Sequence, residues 1–317
     1  MIEVFPMRVV VLMSTYNGER FIEEQVCSIL KQLPPEGLLM VRDDGSTDKT
    51  VEKIYAFKDN RILLERGENI GFGKSFLTLL NKAPIDAQMA MFSDQDDVWL
   101  DGKIQRAWEC LSTSQEQATL YCSRQFITDE KLKVLESSEK MPHQPSFSNA
   151  IVENIVTGCT AAINNRAIQL MMRSGVPENV RFHDWWLYVV ISAHGSVIFD
   201  NKSLILYRQH EYNYMGRGVG WFGRNLKKIQ YLRNNSWTDA LVGQIGDLQK
   251  FYWSSLPVQY RNMIDKYIEG NEREARVRWS FICSSHLWTR SVLRDLVLRY
   301  LLIKHRNRIL NIVNNIN

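Results

Sequence analysis

Phe92-Ser93-Asp94-Gln95-Asp96-Asp97-Val98-Trp99 ends the apolar run Met89-Ala90-Met91-Phe92 with three carboxylates in four positions. A buried strand does not tolerate such charge unpaired, because a lone buried carboxylate costs several kcal/mol or more. At the carboxyl end of a strand, the natural neutraliser is a divalent cation carrying a phosphorylated ligand. The plainer reading makes Asp96 or Asp97 the cap of a following helix. The surrounding chain has to decide.

Upstream, Arg8-Val9-Val10-Val11-Leu12-Met13 is a β-branched apolar run of the kind found in buried parallel strands. It ends in the polar turn Ser14-Thr15-Tyr16-Asn17-Gly18, and a helical pattern follows with Phe21, Ile22, Val26, Ile29 and Leu30 on one face. Leu38-Leu39-Met40-Val41 reads as a second strand, ending in Asp43-Asp44-Gly45-Ser46-Thr47-Asp48. Ser46 or Thr47 suits a helix cap, whereas Asp43 and Asp44 suit acceptance from a base N–H or ribose hydroxyls. Arg61-Ile62-Leu63-Leu64 gives a third strand, and Asn69-Ile70-Gly71-Phe72-Gly73-Lys74-Ser75 opens the next helix. That stretch lacks the spacing of a phosphate-cradling Walker loop. Lys74 is either a phosphate partner or a solvated lysine.

Downstream, a helix is expected from about Leu100 to Leu111 and a strand from Thr119 to Ile127. Glu130 to Asn149 is polar, with Pro142 and Pro145, and reads as an excursion. Ile155 to Ala162 reads as a strand containing Gly158, and His183-Asp184-Trp185-Trp186-Leu187 opens a helix. Asp184 there is a candidate N-cap and the two tryptophans are candidate core. Strand material from Ile198 to Tyr207 leads to Tyr207-Arg208-Gln209-His210, then to the glycine-rich stretch 215–220, read as a mobile loop. Repeated strand–helix alternation with short loops predicts an α/β fold with a largely parallel sheet and its functional loops on one edge.

From Trp221 the pattern is helical, so the chain divides into 1–220 and a helical region 221–317. Its last segment, His286 to Lys304, alternates apolar positions with Arg290, Arg294, Arg299 and Lys304. Such a helix either packs on its own domain or lies on an anionic membrane surface. The net charge of +4 is too small to argue for nucleic acid, and 45% hydrophobic residues are ordinary for a soluble globular chain. Five scattered cysteines without C-x-x-C spacing argue against a disulfide framework or zinc site and fit a reducing cytosol. Neither a secretory signal nor a spanning helix is expected.

Taken together, these loops resemble the family 2 glycosyltransferases, nucleotide-sugar enzymes of the GT-A fold that invert anomeric configuration. Seven pieces carry the resemblance in order: Ser14-Thr15-Tyr16-Asn17, Asp43 to Asp48, Asn69-x-Gly71, Ser93 to Trp99, Thr157-Gly158-Cys159, His183 to Trp186 and Arg208-Gln209-His210. The Asp-Gln-Asp-Asp-Val-Trp, His-Asp-Trp-Trp and Tyr-Arg-Gln-His forms are most similar to rhamnosyltransferases of bacterial surface polysaccharide assembly. The resemblance implies a GT-A domain with a helical C-terminal extension and a divalent metal, Mg²⁺ or Mn²⁺. In that pattern Asp94-x-Asp96 is the DxD motif, with Asp96 and His210 as metal ligands and Asp94 reaching ribose or metal. Asp184 stands at the general-base position, although many relatives carry Glu-Asp where this chain has His183-Asp184. Thr15, Tyr16, Asn17, Asp43, Asp44, Asn69, Lys74 and Gln95 fall on the nucleotide-sugar side. Gly158, Cys159, His183, Trp185 and Trp186 fall on the acceptor or sugar side.

The implied partners are a dTDP- or UDP-linked sugar and a glycan acceptor, expected to be lipid-linked and met on the cytoplasmic membrane face, with no nucleic acid. The rival classes fit less well. A dead sugar-binding module would not need the metal, base and histidine positions filled. A nucleotidyltransferase would carry a glycine-rich basic loop after the first strand, and a processive synthase would carry a Gln-x-x-Arg-Trp motif and spanning helices.

Overall fold

Val9 to Met13 are all buried, because β1 (Val9–Thr15) has neighbours on both edges and helices on both faces. The computed structural model describes residues 8–210, 236–272 and 289. In chain order come α1 (Ile22–Leu30), β2 (Leu38–Asp43), α2 (Thr50–Ala56), β3 (Ile62–Arg66), α3 (Phe72–Lys82), β4 (Met89–Ser93), β5 (Val98–Trp99) and α4 (Lys103–Ser112). Next are β6 (Thr119–Thr128), β7 (Val134–Ser137), α5 (Phe147–Ala150), β8 (Ala162–Asn164), α6 (Asn165–Met172), α7 (His183–His194) and β9 (Ser196–Arg208). Two further helices are α8 (Ser236–Tyr252) and α9 (Val258–Glu272).

The described strands form one mixed sheet in the order β3-β2-β1-β4-β8-β6-β9-β5, with β7 paired to β6. Its longest pairings are parallel, β3 to β2 to β1 to β4 and β6 to β9. The short strands β8 and β5 pair antiparallel. Alternation along β1 and β4 feeds two cores. Val10, Leu12, Ala90 and Phe92 face α3, α6 and α7, while Val9, Val11, Met13, Met89 and Met91 face α1 and α4. This is the period of two that both-sided burial imposes on a strand.

β4 and β5 stand four places apart in the sheet, about 19 Å if it were flat. The chain from Ser93 to Val98 reaches at most about 18 Å when fully extended. The sheet therefore curls, and the curl carries Asp94–Asp97 across the ends of the intervening strands.

Two expectations are corrected. Ile155 to Ala162 is not a strand: Gly158–Thr160 forms a 3₁₀ turn closed by Thr160 N–H donating to the Thr157 carbonyl at 2.8 Å, and β8 begins only at Ala162. The excursion 130–149 carries the exposed edge strand β7. α8 and α9 contribute Leu248, Tyr252 and Ile264 to the core lined by α6 and α7, and Tyr252 OH donates to the Leu170 carbonyl at 2.9 Å. The boundary at 220, the loop 215–220 and the basic segment 286–304 lie outside the described residues. Among the described residues no helix is long and apolar enough to cross a membrane.

Candidate active site

β1, β2 and β4 all end on the same edge of the sheet, so the loops after them meet there. The loop after β1 is laced to the loop after β2. Asn17, in the left-handed region at φ 48°, receives Thr47 N–H on Oδ1 at 2.9 Å and donates its own N–H to Ser46 Oγ at 2.9 Å. Asp43 is fully buried and accepts from Thr15 Oγ1 at 3.1 Å and from Ser46 N–H at 2.9 Å. Asp44, also buried, forms an ion pair with Arg42 and accepts from Ile70 N–H at 3.3 Å. The Asn69 side chain accepts from Gly71 N–H at 3.1 Å, and Lys74 is half-buried on the first turn of α3. Tyr16 is exposed. Gln95 joins this loop to the acidic one, accepting from Tyr16 N–H at 2.9 Å and donating to its carbonyl at 3.1 Å.

The acidic loop is less fully compensated. Asp96 Oδ2 lies 2.7 Å from His210 Nε2, which β9 delivers from 114 residues away. Asp97 is completely buried. Its Oδ1 accepts Arg208 N–H at 3.0 Å, and its Oδ2 has no hydrogen-bond partner beyond the neighbouring Cys159 thiol. It caps no helix: α4 starts after Gly102, which takes φ 83°. Ligand atoms of Asp94, Asp97 and Cys159 lie within 4.8 Å of one another. Burial, reinforced by the charges of Asp96 and Asp184, pushes the half-buried Asp94 carboxyl up to about 7. Asp97 is raised well above the usual carboxylate range by burial and then by Asp96 and Asp94. Lys103, buried beneath them, is drawn down to about 8 by burial, against the opposing pull of Cys159 and Asp97.

Crowded carboxylates of this kind, one with an uncompensated buried oxygen, fit a divalent cation. Asp96 and His210, with Asp94 beside them, would hold it. Oxygen donors with one imidazole suit Mn²⁺ or Mg²⁺.

Asp184 lies in the first turn of α7, where Oδ1 accepts Trp185 N–H at 2.7 Å and Oδ2 accepts Gly158 N–H at 3.1 Å. Burial lifts its carboxyl to about 6 in spite of these bonds. Of the five residues expected on the acceptor side, His183, Trp185 and Trp186 are buried in the core, whereas Gly158 bonds Asp184 and Cys159 touches the acidic loop. Trp185 is buried with Nε1 donating to the Ala150 carbonyl at 2.7 Å, and Trp186 is fully buried near Tyr252, with ring centroids 6.0 Å apart. His183 is sandwiched by aromatic rings, its centroid 4.0 Å from that of Phe76 and 5.3 Å from that of Phe92. Burial alone holds it down to about 3, so it is neutral at ordinary pH. A Cβ on Gly158 would stand 2.7 Å from His183 Nε2, so the turn requires glycine there. Cys159 is fully buried against the acidic loop. The reason is α7 itself: every residue from Trp185 to Ala193 is buried, so neither tryptophan is free to meet a sugar.

Residues 10–171, more than half of the chain, match the family described as Glycosyl transferase family 2. The chain belongs to glycosyltransferase family 2. Among curated relatives, it is 29% identical over 236 residues to the dTDP-rhamnosyl transferase RfbG of Shigella flexneri, covering 70% of this chain and 79% of the relative. It is 26% identical over 159 residues to the UDP-Glc:alpha-D-GlcNAc-diphosphoundecaprenol beta-1,3-glucosyltransferase WfgD of Escherichia coli, covering 50% of this chain and 60% of the relative. Among solved structures, S. aureus TarS 1-349 in complex with UDP-GlcNAc superposes with a TM-score of 0.57 at 15% identity, covering 98% of this chain and 92% of that one. The glycosyltransferase therefore has the GT-A fold, a mixed sheet flanked by helices.

Sequence reasoning missed two supporting side chains. Gln25 is fully buried in α1 and donates to Ser93 Oγ at 2.5 Å, steadying the end of β4. Arg208 reaches three other segments at once. Arg208 was read only as part of the Arg208-Gln209-His210 piece, and its partners are too distant in sequence for its supporting role to be read.

Proposed function

We propose that this glycosyltransferase moves one sugar, with inversion, from a nucleoside-diphosphate sugar to a glycan acceptor in the assembly of a surface polysaccharide. The observation that carries the reading is the pairing of Asp96 with His210 at 2.7 Å, next to an Asp94 carboxyl that feels the charges of both Asp96 and Asp184. Asp96 and His210 would hold a divalent cation, which would supply Lewis-acid stabilisation for the leaving diphosphate. The chain's own work is binding, orientation and proton removal. The laced loops after β1 and β2 seat the nucleotide, with Thr15, Tyr16 and Asn17 toward base and ribose. Asp184 takes the proton of the attacking acceptor hydroxyl. A carboxyl lifted to about 6 is still ionised near neutrality yet more basic than an exposed aspartate, which suits a general base.

For the donor, dTDP-L-rhamnose is favoured by the likeness to RfbG, which is named a dTDP-rhamnosyl transferase. A UDP-sugar is the second reading, supported by the likeness to WfgD. The acceptor is placed as lipid-linked at the cytoplasmic membrane face, on the strength of the basic amphipathic sequence from His286 to Lys304. A panel of nucleotide sugars assayed for release of nucleoside diphosphate, with and without Mn²⁺ and a lipid-linked acceptor, tests the reading. Turnover of dTDP-rhamnose alone is expected. Turnover of a UDP-sugar instead replaces the donor, and silence from every donor removes the enzyme assignment. Equal sedimentation with neutral and anionic liposomes would defeat the membrane placement.

A further inference from the structure

Arg208, the last residue of β9, is 3% exposed, although nothing in its strand position requires a buried cation. Its guanidinium is forked across three other segments. Nε donates to the Asp96 carbonyl at 2.7 Å, Nη1 donates to the Glu130 carbonyl at 2.5 Å, and Nη2 pairs with the Glu24 carboxylate on α1. Its backbone N–H meanwhile holds Asp97 Oδ1. The Phe21 ring lies 4.4 Å from the guanidinium carbon and 5.0 Å, centroid to centroid, from the His210 imidazole. One aromatic ring thus backs both the arginine and the histidine that faces Asp96.

We propose that Arg208, oriented by Glu24, is the positioning residue of the cation loop: it fixes the Asp96 backbone so that the Asp96 carboxylate meets His210. The inference rests on the reading of Asp96 and His210 as cation ligands. The chemistry favours orientation over simple charge balance. Two of the guanidinium's bonds go to neutral carbonyls, and its third goes to Glu24, whose side chain is 58% exposed. Only a planar fork makes directed bonds to three acceptors on three segments, so lysine, a point charge, is not equivalent. Groups that orient metal ligands in this way typically change metal affinity roughly 10- to 100-fold when altered.

The test is Mn²⁺ binding to the full chain, followed by the electron paramagnetic resonance signal of free Mn²⁺, with thermal melts of the metal-free proteins alongside. Arg208→Lys and Glu24→Gln are each expected to raise the Mn²⁺ dissociation constant about tenfold. Glu24→Gln, at an exposed carboxylate, decides the matter if Arg208→Lys does not fold. A lowered melting temperature with parental Mn²⁺ affinity in Glu24→Gln and any folded Arg208→Lys would overturn the inference, leaving Arg208 a fold residue. Asp96→Asn and His210→Ala separate the two claims. If they too bind Mn²⁺ like the parent, the cation reading itself falls. If they bind weakly while the Glu24 and Arg208 variants do not, only the positioning role falls.

Discussion

Two pairs of aspartates sit at the carboxyl ends of nearby parallel strands, and they lead opposite lives. Asp43 and Asp44, after β2, are buried but matched, by Thr15 and Ser46 in one case and by Arg42 and Ile70 N–H in the other. Asp94 and Asp97, after β4, crowd against Asp96 and a thiol, and burial with mutual repulsion raises both. In sequence both pairs look like acidic turns. What separates them is compensation: the first pair builds a loop, while the second stores unfavourable charge that a bound cation would relieve.

Breaking the transfer side should cost most. Asp184→Asn is expected to lower kcat roughly a thousandfold, with the donor dissociation constant unchanged by calorimetry. Turnover near the parental rate would remove Asp184 from the base role. On the matched side, Arg42→Ala leaves Asp44 as a buried carboxylate without its cation, and denaturant unfolding should show a loss of about 3–5 kcal/mol. An unchanged midpoint would mean that Asp44 was never compensated by Arg42. His210→Ala should raise the Mn²⁺ concentration for half-maximal activity roughly tenfold or more, without moving the melting temperature of the metal-free protein.

The smallest effect is a crossover with pH. Asp94 has its folded value raised to about 7, above the ordinary aspartate value of about 4. Its contribution to stability is therefore present below pH 4 and lost as pH rises through 7. In metal-free buffer, Asp94→Asn should unfold later than the parent above pH 7, by on the order of 2 kcal/mol once partial exposure is allowed for. The gain should shrink as pH falls toward 4. A gain that is independent of pH would show that Asp94 is already compensated.

β1, β2 and β4 were legible because strands covered by helices leave unbroken apolar runs, and their polar ends fall on one edge by topology. α7 shows the limit. It is apolar on every side, so its sequence has no face to read, and Trp185 and Trp186 carry no sign of which way they point. Gly158 misled for a different reason. An apolar run with one glycine matches a strand, whereas the 3₁₀ turn depends on room beside His183 and on a bond to Asp184. Arg208 and Glu24 are separated by 184 residues, and only the curl of the sheet brings them together. Asp96 and His210 were paired from the order of motifs, a signal that lies in resemblance and not in local chemistry.

Gln95 stands between Asp94 and Asp96, and its carboxamide holds both backbone polar groups of Tyr16. It works as a mortise between the loop proposed to seat the nucleotide and the loop proposed to hold the cation, and Gly18 leaves it the room, since a Cβ there would come within 2.3 Å of Gln95 Oε1. Two ligands seated on loops joined in this way are expected to have coupled affinities. Whatever factor a bound cation adds to nucleotide affinity, the nucleotide returns to the cation in equal measure.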